Sequence, residues 1–231
     1  MTVERDLLVS VLQLTRTGPV DKTLASRCAH VPLQVADDML KSFCDANLIQ
    51  LRGKVIEASM DQRLRIAIQA TRLGADFESV CNLLEWNEFE KIVAKTFEYN
   101  LFNVTRGFRF KWAERKWEVD VIGCREPIIV CADCKHWHRG WTRSAIAKAT
   151  AAQVERTQAL AEAFPGLHEK LGTTDWREAT LVPMILSLLP APFKFSENTP
   201  VVPILQLQDL LSELPAHVDS VTHFHVCSRE K

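Results

Sequence analysis

Asp120, Asp133 and Lys135 lie in two largely apolar stretches, EVDVIGC and PIIVCADCKHW, where an unpaired charge is costly. Strand alternation predicts that Glu118, Asp120 and Ile122 share a face of the first stretch. It likewise puts Cys131, Asp133 and Lys135 on one face of the second, with Ala132, Cys134 and His136 on the other. Two carboxylates and an ammonium can therefore converge. Such a set offers hard oxygen ligands for a cation and an amine that can handle a proton. A plain Asp133–Lys135 ion pair is the competing account of the same residues.

Neighbouring residues invite a different metal. Cys131 and Cys134, with His136 and His138 close behind, resemble half of a zinc site, but the two thiols of a C-x-x-C on a strand point to opposite faces. His223 and His225 share a face without a third ligand. The seven cysteines are an odd number, scattered through a chain long enough to need no staples, and so read as reduced and mostly buried.

The elements that must hold these residues follow from periodicity. The stretch EWNEFEKIVAKTFEYN is amphipathic, with Phe89, Ile92, Val93, Thr96 and Phe97 inward and Glu90 at the edge of that face. FNVTRGFRFKW and ERKWEVDVIGC alternate as half-buried strands, and PIIVCADC is a continuous apolar run of the central-strand kind. Pro127 supplies the turn before it. A helix over about 143–164, with Gln153 and Arg156 one turn apart, is followed by strands at ATLVPMILSLL and VVPILQL, helix QDLLSEL and strand VTHFHV. Upstream, residues 1–59 predict three helices and a short hairpin around Arg52-Gly53, which is a winged-helix-like pattern. Residues 60–84 form an apolar helical connector, and 85–231 make a second domain. The third helix carries Asp37, Asp38 and Asp45 against Lys41, which would repel phosphates, so Arg52 and Lys54 at the hairpin tip are the better backbone contacts.

Composition leaves the function class open. With 231 residues, 28 Lys+Arg, 29 Asp+Glu and a formal net charge of -1, the chain is no polybasic or acidic tail protein, and nucleic-acid contact would need a local basic patch. No apolar run reaches membrane-spanning length, and the MTVERDLL start has no secretory pattern. The expectation is a cytoplasmic protein with no membrane contact.

Glu90 on its helix, Asp120 on one strand and Asp133-Cys134-Lys135 on the next, 13 residues after Asp120, together resemble the PD-(D/E)xK nuclease superfamily. The helical Glu90 ahead of Leu101-Phe102 is similar to the arrangement in archaeal Holliday-junction resolvases and Mrr-type restriction endonucleases. Val119 stands where the superfamily name has proline. The resemblance spans about residues 85–226. It implies an α/β fold: a restriction-endonuclease-like mixed central sheet flanked by helices, here preceded by the small winged-helix domain.

The activity it implies is a Mg²⁺- or Mn²⁺-dependent DNA endonuclease. Asp120, Asp133, the backbone carbonyl of Cys134 and Glu90 would be the metal ligands, since Mg²⁺ favours one or two carboxylates completed by waters. Lys135 would orient or deprotonate the attacking water, and Gln153 would point in from the following helix. Arg106, Arg109, Lys111, Arg115 and Lys116 around the first hairpin, with Arg139 and Arg143 flanking Trp141, suit a groove that tracks a nucleic-acid backbone. DNA is the expected partner, a homodimer the expected assembly by analogy, and a protein partner can add specificity. The alternative is a non-catalytic nucleic-acid-binding or regulatory protein that retains the nuclease fold.

Overall fold

The apolar spacing of the first residues produces α1 (Val3–Leu14), which buries Leu7, Leu8, Val11 and Leu12. In the computed structural model of this chain, residues 3–135, 142–187 and 193–227 are described. They cluster into two compact units, Met1–Phe89 and Glu90–Lys231.

In the first unit, β1 (Val20–Asp21) leads into α2 (Lys22–Cys28), capped by the Asp21 carboxylate accepting from the Thr23 amide. Next come α3 (Leu33–Asp45) and a hairpin of β2 (Gln50–Arg52) and β3 (Val55–Glu57) that turns at Gly53. β3 lies between β1 and β2 in an antiparallel sheet. The predicted three helices and hairpin are thus present, with β1 as an added strand. On α3, Asp37 pairs with Lys22 at 2.8 Å and Asp38 with Lys41 at 3.3 Å. The segment after the hairpin packs within this unit. α4 (Met60–Arg72) opens on a Ser59/Gln62 capping box and buries Leu64, Ile66, Ala67 and Ala70, and α5 (Phe77–Cys81) follows.

One charged pair is buried here. Arg63 on α4 meets Glu88 at 2.7 Å, with side chains 6% and 2% exposed. Its remaining donors reach the Leu12 carbonyl, the Thr15 hydroxyl at 3.0 Å and the Leu83 carbonyl at 2.8 Å, while Glu88 also accepts from the Glu85 amide.

α6 (Trp86–Tyr99) begins in the first unit and runs into the second from Glu90, where β4 (Asn103–Trp112), β5 (Arg115–Arg125) and β6 (Ile128–Lys135) follow. Then α7 (Arg143–Ala163), α8 (His168–Leu171), β7 (Glu178–Ser187), β8 (Phe195–Ser196), β9 (Thr199–Pro203), α9 (Leu207–His217) and β10 (Phe224–Cys227) complete it. The sheet runs β4-β5-β6-β7-β9-β8, antiparallel through β6 and parallel across β6-β7-β9. β10 pairs antiparallel with the first half of β7, and β9 takes the second half. The fold is therefore α/β, with a mixed sheet between helices.

Residue parity puts helices on both faces. Ile122 and Cys124 pack in one cluster with Leu160, Ala163 and Phe164 from the α7 end. Gly123, pointing the other way, lies against Phe97 and Phe102: a Cβ there would fall 2.7 Å from Phe97 Cε1 and closer still to Cδ1. Only glycine permits that approach of helix to strand. No described helix is long and apolar enough to cross a membrane.

Simple alternation does not hold along β5. Val119 and Ile122 both belong to the α7-side cluster, so the expected common face for Glu118, Asp120 and Ile122 is not what the chain adopts. The β4–β5 ladder is interrupted between Arg106↔Val121 and Phe108↔Val119, where Gly107 takes φ +57°. That left-handed residue opposite Asp120 breaks the pleat and re-aims the side chains on either side.

Candidate functional site

The site forms where β5 and β6 stop pairing. Their ladder ends at Val121↔Ala132. One step further, Asp120 Oδ2 accepts the Cys134 backbone N–H at 2.8 Å, so a carboxylate does the work of a main-chain acceptor. β6 remains paired to β7 as far as Lys135↔Ser187. Asp133 and Lys135 thus sit on a paired central strand, and Asp120 reaches that strand's Cys134 amide across the opening.

Asp133 is 4% exposed and both its oxygens are engaged by cations. Lys135 Nζ lies 2.8 Å from Oδ2, and Arg156 Nη1 lies 2.9 Å from Oδ1. The same Arg156 nitrogen donates to Gln153 Oε1. Gln153 is fully buried and its Nε2 donates to the Cys131 carbonyl at 2.7 Å. The expected pointing of Gln153 into the site therefore becomes a supporting position, one residue removed from Asp133. Arg156 is the member that sequence reasoning left without a role. Its signal was the one-turn spacing from Gln153 on a helix otherwise rich in alanine.

Burial pushes the Asp120 carboxyl up to about 6; the Cys134 amide and Lys135 oppose this, and the charges of Asp133 and Glu90 add to it. Glu90, half-buried on α6, is thus within electrostatic reach of Asp120 and Cys134. Burial also holds the Cys134 thiol well above its ordinary value, reinforced by Asp120, Glu90 and Asp133, and raises the Cys131 thiol likewise. Both thiols are fully buried, so in this chain they are held as neutral thiols inside the sheet.

The donor set suits a hard dication. Carboxylate oxygens gather where like charge already lifts one pKa, and Asp133 satisfies its oxygens with positive partners. Among the described residues no group of three or more His, Cys, Asp or Glu side chains is arranged for a metal. Asp120 and Asp133 are the carboxylates here that could serve a hard cation, and both Asp133 oxygens are already held by Lys135 and Arg156.

The basic residues are dispersed. Arg109 pairs with Glu118 at 2.9 Å, Lys111 with Glu114 at 2.8 Å, and Arg115 with Glu155 at 2.6 Å while lying over Trp117. Glu118 is thereby turned to an arginine at the surface. Arg106 and Lys116 are exposed and have no acidic partner among the described residues. Arg143 lies 4.9 Å over the Phe193 ring. Arg139, Trp141, His136 and His138 lie outside the described residues. His225 approaches Glu178 at 3.8 Å, and His223 contacts the Val221 carbonyl.

No family model matches the chain. An uncharacterized protein of Archaeoglobus fulgidus is 27% identical over 131 residues, covering 57% of this chain and 92% of its own length. Among solved structures, a protein of unknown function, AF1548, matches with TM-score 0.30 and 21% identity over 43% of this chain and 45% of its own. Protein VC1899 from Vibrio cholerae matches with TM-score 0.36 and 12% identity over 94% of this chain and 52% of its own. The chain spans about half the length of either solved structure.

Proposed function

We propose that this chain is a Mg²⁺- or Mn²⁺-dependent nuclease of the PD-(D/E)xK kind acting on DNA. One observation carries the reading: where two strands part, the Asp120 carboxylate reaches the Cys134 amide, between the buried Asp133 and Lys135 of the neighbouring strand, whose charges act on it. Asp120, Asp133 and the Cys134 carbonyl would hold the cation, with Glu90 acting through water. A dication held there would supply positive charge beside the scissile phosphate and lower the pKa of a nearby water. Lys135, 32% exposed and charged beside Asp133, would orient the attacking water and stabilise the negative charge developing on the phosphate. In the first unit, the three helices and the Arg52–Lys54 hairpin tip act as a winged-helix-like module that contacts the phosphate backbone or a partner protein. The protein acts in the cytoplasm, as a homodimer when it cuts both strands.

The test is cleavage of a panel of duplex, single-stranded, flap, four-way-junction and RNA substrates with Mg²⁺ or Mn²⁺, alongside Asp133→Ala. Metal-dependent cutting lost in the variant is the expected outcome, and Asp133→Ala cutting like wild type would sink the assignment. A second reading has its own observation. Both Asp133 oxygens are already ion-paired, which also fits a non-catalytic binding protein that keeps the nuclease fold. DNA binding with no cleavage and no effect of metal on melting would favour it.

A further inference from the structure

Arg156 sits at a branch point. It neutralises one oxygen of Asp133, and it has a second acceptor, Gln153, which the Cys131 carbonyl locks in place inside the protein. Lys135, by contrast, meets Asp133 from the same strand. If Asp133 lost its hold on Arg156, the guanidinium would keep an anchor on α7, and its side chain, 22% exposed, already reaches water. A dication placed on Asp133 Oδ1 and a guanidinium on the same atom would repel at short range, where partial burial screens poorly.

Resting on the nuclease reading of this site, we propose that Arg156 and the divalent cation are alternative partners of Asp133 Oδ1. Arg156 is then a positioning residue that sets the metal affinity. Linkage makes the exchange reciprocal: whatever factor the cation takes from the Arg156 contact, Arg156 takes from cation binding. A charge-assisted hydrogen bond of ordinary strength corresponds to about tenfold. A merely structural role predicts the opposite sign, because loosening the site would weaken metal binding.

The experiment is direct Mn²⁺ binding to the full chain, read as loss of the free-ion EPR signal, for wild type, Arg156→Met and Arg156→Lys, with Asp133→Asn as the control. The expected result is half-saturation at about tenfold lower Mn²⁺ in Arg156→Met, with Arg156→Lys between the two and Asp133→Asn binding more weakly than wild type. Equal or weaker binding by Arg156→Met, with wild type binding, overturns the exchange and leaves the nuclease site standing. Absence of binding in both overturns the two together. A second measurement needs no variant. Rotation of the Arg156 guanidinium, followed by nitrogen-15 NMR in wild type, should speed up on Mg²⁺ addition, and hindered rotation at saturating Mg²⁺ would overturn the exchange even if Arg156→Met failed to fold.

Discussion

At the scale of single residues, the Asp120 carboxyl carries a sign as well as a site. Its value near 6 stands above the ordinary carboxylate range of about 4, so the folded chain holds this proton more tightly than the unfolded chain does. The associated stability is fully present below about pH 4 and is lost as pH rises through about 6. Above that, the ionised group is a standing cost, on the order of 1 kcal/mol once partial exposure is allowed for. Asp120→Asn keeps an oxygen for the Cys134 amide and removes the charge. In chelator, the variant should therefore exceed wild type in urea melts at pH 7.5 and match it at pH 4; parallel profiles across that range would contradict the burial argument. Asp120, Asp133 and Lys135 were legible in the sequence because charge in an apolar strand has few explanations. Arg156 was not, because its partner lies 23 residues away and helix spacing alone does not say which strand a helix covers.

The elements show where periodicity suffices and where it fails. α6, α7 and the strands β4 to β7 fall where three- and two-residue repeats place them. The facing of β5 does not, because Gly107 interrupts the ladder opposite Asp120 and shifts the parity on both sides. A glycine inside a strand is a visible mark of such a break, but its effect depends on the partner strand. The other glycine of this sheet makes a sharper prediction. Gly123→Ala must displace Phe97, the residue that seats α6 against β5, and should destabilise the second unit by about 2 kcal/mol. Thermal melting checks it, and the added Phe97→Leu change should recover part of the loss if the clash is the cause.

Taken whole, the chain is two units: one with Asp133, Lys135 and Arg156 at the opening of its sheet, the other with the buried Arg63–Glu88 pair. Glu88→Gln leaves a buried guanidinium short of its counter-charge and should cost the first unit about 3 kcal/mol in denaturant. Arg63 also bears on dynamics. Its donors touch the last turn of α1, the residue after it, the turn following α5 and the start of α6. These are places where helices ordinarily fray. None of them can open alone without baring that guanidinium, so amide exchange over residues 83–89 should require the same free energy as unfolding the whole first unit, instead of the small local openings typical of helix ends.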